Sequence, residues 1–237
     1  MRFETTNWSL LLQARAGAAT PAREALASLC ASYWPPVYAF IRRRGRTPAD
    51  AEDLTQSYFA RFFEKGYVSA FRPEAGRFRT FLLASVTHFL ANEWDREQAL
   101  KRGGGARHLS LDAASAEERL RLEPVDRVTP EAIFERQWTA AVLARCLERL
   151  RAEQAASGTL ARFERLKPFL TGEGVPADYA SLAPELRLSE STVRVAVHRL
   201  RRRFAEVLRE EVAGTLADPA EVDSEIRWMI ETLRSDK

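Results

Sequence analysis

Apolar residues recur every three or four positions along most of the chain, whereas no segment of useful length alternates between apolar and polar residues. The first spacing is typical of an amphipathic helix and the second of a half-buried strand. The pattern therefore predicts an all-α fold. It predicts two helical domains, at residues 1–102 and 130–213, with a flexible polar linker at 103–129 and a short helical C-terminal extension at 214–237.

Proline and glycine mark the predicted helix boundaries in the first domain. After a short helix at Trp8 to Ala16, a second helix is expected to start at Thr20-Pro21 and to stop at Gly45. Proline removes a backbone hydrogen bond from a helix interior, so an interruption is expected at Pro35-Pro36.

Two further helices complete the first domain. One is predicted from Thr47-Pro48 to Gly66, and the other from about residue 77 to 101, after a loop at 71–76. The residues expected in the core are Ala51, Leu54, Tyr58 and Phe62 on the first helix and Phe78, Leu82, Val86 and Phe89 on the second. The first helix is expected to carry Glu52, Asp53 and Gln56 on a different, exposed face. The second is expected to carry Thr87, His88, Asn92 and Asp95 on other, polar sides.

The second domain is predicted to begin with a helix at Thr129-Pro130 and to contain two short helices joined by a tight turn between 178 and 204. Arg187 lies in that turn, where the backbone often needs a positive φ, and Ser189 is expected to cap the helix that follows. The apolar stripe of that helix is Val193, Val197, Leu200 and Phe204. Its opposite side is Ser191, Thr192, Arg194, His198, Arg199, Arg201, Arg202 and Arg203.

An arginine-rich helix that follows a short helix and a turn in the sequence suits the major groove of DNA, because arginine can bind both phosphates and guanine edges. The alternative interpretation is an ordinary helical pair with a solvated basic face. The formal net charge of the 237-residue chain is only +3, but its basic residues are clustered, and clusters matter more than totals for a nucleic-acid footprint.

Several classes of protein do not fit the composition. Cys30 and Cys146 lie far apart within apolar patterns and are expected to be buried free thiols. No secretory leader or membrane-length apolar run is evident, so we expect a cytoplasmic protein without membrane insertion. The three histidines lack metal-site spacing, and Gly103 to Gly105 lacks the lysine of a phosphate loop. The sequence predicts no enzyme activity, no metal site and no bound cofactor.

Three strings in the chain resemble bacterial RNA polymerase sigma factors, in particular the small extracytoplasmic-function (ECF) subfamily. DAEDLTQSYFARFFEK resembles the helix that binds core polymerase. FRTFLLASVTHFLANEWDREQALKR resembles the helix that melts and reads the minus-ten element, and LSESTVRVAVHRLRRRF resembles the minus-thirty-five-reading helix. They occur in the family's order, with a linker where the family has one.

The resemblance implies a dissociable subunit that binds the β and β′ subunits of core RNA polymerase and directs it to promoter DNA. An anti-sigma factor or other regulator is a further candidate partner. The positions matched to polymerase binding are Asp50, Glu52, Asp53, Leu54 and Gln56. Those assigned to the minus-ten element are Phe71, Arg72, Arg77, Thr87, His88, Asn92 and Arg96. Those assigned to the minus-thirty-five element are Ser189, Ser191, Thr192, Arg194, His198, Arg199 and Arg202.

The sequence departs from the family pattern at several places. Val195-Ala196 stands where members commonly carry Ser-Arg, and the extension after Gly214 has no counterpart in minimal members. Asp218-Pro219 has the signature of a helix start, and an amphipathic helix is expected to follow. The first hypothesis is that this helix caps the C-terminal domain, and the second is that it covers part of the DNA- or polymerase-binding surface. The alternative to a sigma factor is a free-standing helix-turn-helix regulator.

Overall fold

The structure is a computed structural model that describes residues 19–72, 76–100, 129–172, 179–216 and 218–234. Within these ranges every regular element is a helix, which confirms the all-α prediction. The predicted helix at Trp8 to Ala16 and the linker up to residue 128 lie outside the described residues.

The described α-helices follow one another along the chain with short 3-10 turns between some of them. They are α1 (Ala19–Arg43), α2 (Pro48–Glu64), α3 (Phe78–Leu100), α4 (Pro130–Ala156), α5 (Leu160–Leu166), α6 (Pro168–Thr171), α7 (Tyr179–Glu185), α8 (Glu190–Ala213) and α9 (Val222–Arg234). The 3-10 turns are Tyr67–Ala70 and Pro219–Glu221.

These helices form two compact units. The C-terminal unit is residues 142–212, and the N-terminal unit comprises the described residues before 142 and after 212. The units differ from the predicted domains, because α4 is a single helix that contributes to both and because α9 belongs to the N-terminal unit. Trp228 of α9 packs against Trp138 of α4, which lies within the predicted C-terminal domain, so the hypothesis that the extension caps that domain stays a prediction.

The core of the N-terminal unit forms where α2 packs against both α1 and α3. The predicted stripe on α2 is buried, as are the four core residues predicted on α3. The Tyr58 ring packs edge-on against Phe89 of α3, with the ring centroids 5.5 Å apart. The first residues of α4 join this core, where Phe134 meets Phe40 of α1 edge-on. These aromatic contacts hold together helices that are distant in sequence.

Helix α1 does not stop at its two internal prolines. It continues through Pro35 and Pro36 to Arg43, so the predicted interruption is wrong. The backbone loses the N–H donors of these two residues. Tyr33 and Val37, on either side of them, are buried in the core, and this packing offsets the lost hydrogen bonds.

The predicted ends of α2 are confirmed. Thr47 lies at the N-cap, where its Oγ1 accepts a hydrogen bond from the Asp50 backbone N–H at 3.1 Å, and Pro48 is the first helical residue. Gly66 follows the last turn with φ +62, and its N–H donates to the Phe63 carbonyl. Only glycine adopts that backbone conformation at little cost.

The C-terminal unit contains the predicted pair of short helices. After α7 the N–H of Leu188 donates to the Ala183 carbonyl at 2.9 Å, and the N–H of Arg187 donates to the Pro184 carbonyl at 3.1 Å. This pattern is a Schellman turn, whose C′ residue needs a left-handed backbone. Arg187 has φ 54, so the turn adopts the left-handed conformation at a residue other than glycine.

Both cysteines are free thiols in protected surroundings. Cys146 is buried, as predicted, whereas Cys30 is half-buried. Burial raises the pKa of Cys30 to about 11 and that of Cys146 to about 12. Because the thiolate is the reactive form, both thiols are expected to be unreactive at neutral pH.

Candidate polymerase and nucleic-acid interfaces

The exposed face of α2 carries part of the predicted polymerase-binding set. Gln56 is exposed, Asp53 is half-buried, and Asp50 is half-buried in the first turn. The Asp50 carboxylate accepts a hydrogen bond from the Thr47 hydroxyl at 2.6 Å. These side chains place an acidic patch at the start of the helix, where the helix dipole favours negative charge.

Glu52 does not lie on that exposed face. It is 1 % exposed, so the prediction of an exposed Glu52 is wrong. Thr55 and Phe59, one and two turns further along, are buried with it, which gives α2 a wider buried face than its apolar stripe alone. Helix α2 contacts both α1 and α3. Leu54, also matched to polymerase binding, is buried as well.

A cavity of about 600 Å³ lies between α2 and α3 within the N-terminal unit. It is of the size that binds small ligands and single nucleotides. Three residues of the predicted minus-ten set line it together: His88, Asn92 and Arg96. Its aromatic lining is Tyr58, Phe62, Tyr67, Phe81 and Phe89, and its further basic residues are Arg61 and Lys65.

Two of the cavity's basic residues pair with one acidic side chain, Glu93. Arg61 donates to Glu93 Oε1 at 2.8 Å, and Arg96 donates to the same oxygen at 3.0 Å. The Arg61 guanidinium also lies over the Phe89 ring, 5.3 Å from its centroid. His88 and Asn92 are exposed and face the cavity with groups that can hydrogen-bond a base edge. Aromatic walls, base-reading groups and cations together suit an unstacked nucleotide.

The other residues predicted for the minus-ten element do not join the cavity. The Phe71 ring is buried and packs against Phe78 and Phe81, with ring centroids 5.3 and 5.2 Å apart. It is thus a core residue and is not exposed to DNA. Thr87 donates its hydroxyl to the Leu83 carbonyl of its own helix, and Arg72 is exposed in the loop.

Arg77, the remaining residue of that set, contacts the C-terminal helix. Its guanidinium lies 3.0 Å from Glu225 Oε2 of α9. Glu225 is fully buried and also pairs with Arg79. The Arg79 guanidinium contacts two indole rings, 3.8 Å from the Trp228 centroid and 4.8 Å from the Trp138 centroid. Burial lowers the pKa of Arg79 to about 10, so it is still protonated at neutral pH.

The outer face of α8 presents the predicted minus-thirty-five residues. The Ser189 hydroxyl caps the helix by accepting from the Thr192 backbone N–H at 3.2 Å, as predicted. Arg194 and Arg202 form exposed pairs with Glu190 and Glu206, at 2.8 and 3.3 Å. Exposed pairs of this kind contribute little stability, so they can be exchanged for other contacts. The whole predicted set is exposed: Ser189, Ser191, Thr192, Arg194, His198, Arg199 and Arg202.

Two arginines expected on the outer side of α8 have contacts within the C-terminal unit. Arg203 donates to both carboxylate oxygens of Glu153 on α4, at 2.7 and 3.0 Å, and this hydrogen bonding lowers the pKa of Glu153. Arg201 donates to the Phe169 carbonyl through Nε at 3.2 Å. These two contacts hold α8 against the rest of the C-terminal unit. The arginines exposed on its outer face are Arg194, Arg199 and Arg202.

One residue of the outer face was missed from the sequence. Val195 is 48 % exposed, whereas the apolar residues Val193 and Val197 of the same helix are buried. At 100° per residue Val195 lies about 160° from both of them, in the centre of the outward face. A helical projection of the sequence places Val195 on this face. The predicted minus-thirty-five set did not include it, because that set contained only polar and charged residues.

Comparison with known families bears on the N-terminal unit. Residues 29–99 match the model of the family Sigma-70 region 2. This region 2 match supports a sigma-70 family sigma factor, with a role in RNA polymerase binding and promoter recognition. It spans α2, the cavity and nearly all of α3, which are the elements that the resemblance assigns to polymerase and to the minus-ten element. Comparison with curated proteins and with solved structures gave no match.

Among the described residues, none of the helices combines the length and the apolarity needed to cross a membrane. Within the same ranges no group of three or more His, Cys, Asp or Glu side chains is placed to hold a metal ion.

Proposed function

We propose that the protein is an ECF-type sigma factor that binds core RNA polymerase and directs promoter-specific transcription initiation. The observation that carries the proposal is that the region 2 match contains a 600 Å³ cavity lined by His88, Asn92 and Arg96. The protein has no catalytic role of its own in this proposal. Its binding free energy selects and opens DNA, and the polymerase performs the chemistry.

The polymerase contact is assigned to the exposed face of α2. Asp50, Asp53 and Gln56 offer two carboxylates and an amide at the beginning of one helix. Such a patch fits a basic or polar surface on the β and β′ subunits. Buried Leu54 and Glu52 support this face from behind, so their role is to hold the helix in place.

The minus-ten contact is assigned to the cavity. Flipping a base out of the DNA stack costs a few kcal/mol, which must be recovered by stacking and hydrogen bonds in a shaped pocket. The aromatic walls supply stacking, and His88 and Asn92 supply hydrogen-bonding groups. Arg96 at the same cavity is placed to attract the phosphate backbone. Melting then needs no ATP, since binding to the extruded base stabilises the open form.

The minus-thirty-five contact is assigned to α8. The family match does not reach this helix, so the proposal rests on its geometry. A Schellman turn ends α7, a serine cap begins α8, and the outward face of α8 carries exposed arginines and hydroxyls. Helix-turn-helix proteins place the N-terminal part of their second helix against base edges. A protein of this kind acts in the cytoplasm, where promoter DNA and polymerase are found.

One experiment tests the function as a whole. Core RNA polymerase is incubated with the protein and a genomic DNA library, and the transcript starts are mapped. The proposal expects new starts that depend on the protein and share two spaced sequence elements. A free-standing regulator would bind DNA without polymerase and would create no new starts, and that outcome would overturn the proposal. The same assay with candidate regulators tests for an anti-sigma factor, which would suppress the new starts.

A further inference from the structure

We infer that Val195 is a specificity-determining residue that reads the 5-methyl group of a thymine in the upstream promoter element. The inference rests on the proposed function, since it concerns the DNA contact assigned to α8. It adds an apolar base contact to a surface whose predicted contacts were all polar or charged.

The position of Val195 on the helix is the first support. Single exposed apolar residues are common on protein surfaces, but this one lies in the centre of the outward face. At 100° per residue, Ser191, His198 and Arg199 all lie within about 60° of it. The side chain opposite to a buried stripe is the one that enters deepest when that helix lies in a groove.

The place of Val195 along the helix is the second support. It is the sixth residue of α8, in the second turn after the Ser189 cap. Residues near the N-terminus of a recognition helix contact base edges, whereas residues further along reach the phosphates. Side chains also lean towards the N-terminus of their helix, which brings Val195 nearer to the Ser191 end of the face.

The chemistry of valine determines the ligand. It has no donor or acceptor, so it cannot read the hydrogen-bonding pattern of a base. The one apolar feature that base pairs expose in the major groove is the thymine methyl, and apolar side chains are its usual partners. The neighbouring Arg199 can bind a guanine or a phosphate at the same time, which fixes the register of the helix.

Deoxyuridine tests the contact, because it differs from thymidine only by lacking that methyl group. Each thymine of a mapped upstream element is replaced in turn, and binding by the holoenzyme is measured. Burying one methyl contributes about 0.8 kcal/mol, so one replacement is expected to weaken wild-type binding about fourfold. Val195→Ala, whose shorter side chain makes less contact with the methyl group, should weaken binding to the thymine-containing DNA and should show a smaller further loss at that replacement. Val195→Ile, which keeps an apolar side chain, should retain the sensitivity.

The outcomes separate this inference from the proposed function. A holoenzyme that recognises its promoter but shows the same deoxyuridine response with wild type and Val195→Ala would overturn the Val195 assignment alone. An upstream element without thymine would do the same. Absence of any protein-dependent initiation would overturn the proposed function and this inference with it. Circular dichroism of the variants excludes misfolding, which is not expected at an exposed position.

Discussion

Arg79 on α3 and Glu225 on α9 form a buried ion pair across 146 residues of sequence. The Arg79 guanidinium also contacts the rings of Trp138 and Trp228, whose centroids lie 6.1 Å apart. A second arginine, Arg77, reaches the same carboxylate. The end of the chain is thereby joined to the helix that the resemblance assigns to promoter melting.

This junction predicts a large effect of a small substitution. Glu225→Gln leaves two arginines around a neutral group, and loss of one partner from a buried pair costs about 3–5 kcal/mol. We expect a clear fall in the urea midpoint of unfolding. Glu221→Gln, which changes an exposed residue just before α9, is the matched control and should have little effect. Equal stability of the two variants would contradict the role given to Glu225.

Deletion after Ala213 tests how the extension acts. It would expose Trp138 and leave Arg79 without its carboxylate, so we expect lower thermal stability and a proportional loss of transcription. The opposite result would support the hypothesis that α9 covers a functional surface. In that case the truncated protein would be stable and would transcribe more, because Arg77 would be released for DNA.

The polymerase contact is tested on the exposed face of α2. Asp53→Arg combined with Gln56→Ala should weaken binding to core polymerase and leave the helix folded, because Gln56 is exposed and Asp53 half-buried. Glu64→Arg is a charge reversal on the same face but about 16 Å further along, so it should bind normally. Pull-down affinities and circular dichroism measure the two effects. Unchanged binding by the double variant would place the polymerase contact elsewhere.

The cavity is tested through His88. His88→Ala removes a group that can hydrogen-bond a flipped base, and one such bond contributes about 1 kcal/mol. Promoter opening should therefore fall several-fold, with little change in closed-complex binding. Permanganate reactivity of unpaired thymines measures opening. Asp95→Asn, on the same helix but outside the cavity lining, should open promoters normally. Normal opening by His88→Ala would exclude His88 from the base pocket.

Substitutions of two arginines of α8 should have different effects, one on DNA binding and the other on stability. Arg199→Ala changes an exposed residue and should weaken use of the upstream element by roughly 1–3 kcal/mol if it binds a base edge. Arg203→Ala breaks the paired contact with Glu153, so it should mainly lower the stability of the C-terminal unit, by about 1 kcal/mol at this partly exposed site. Transcription across a salt series and urea unfolding measure the two effects. A reversed pattern would contradict the assignment.

The left-handed turn between α7 and α8 predicts a stabilising substitution. Arg187 has φ 54, a conformation that costs a non-glycine residue about 1 kcal/mol. Arg187→Gly should relieve this strain and raise the melting temperature. Glycine loses more conformational entropy on folding, which reduces the gain in stability. Arg187→Ala removes the same charge but keeps the strain, and it should not be stabilised. A lower melting temperature for the glycine variant would show that the arginine side chain has a structural contact of its own.

Local features of the fold could be predicted because they depend on residues within one or two helical turns. The stripe of Ala51, Tyr58 and Phe62 and the caps at Thr47 and Ser189 follow from side-chain chemistry acting on neighbouring backbone. The positive φ at Arg187 follows from the geometry of the turn and is adopted despite the side chain. Most of the outward face of α8 was predictable for the same reason, since helical period separates a buried stripe from its opposite side.

Only the tertiary structure decided which polar residues are buried and where distant helices dock. Glu52 has the spacing of an exposed residue, but α2 is covered on two sides and its carboxylate is buried. Helix α1 passes Pro35-Pro36 because core packing outweighs the lost backbone bonds. The amphipathic pattern of α9 predicted that this helix packs against another part of the protein. The Arg79–Glu225 pair shows that it packs against α3. The spacing of apolar residues predicts that one face of a helix is buried. Which element packs against that face depends on contacts between residues far apart in the chain.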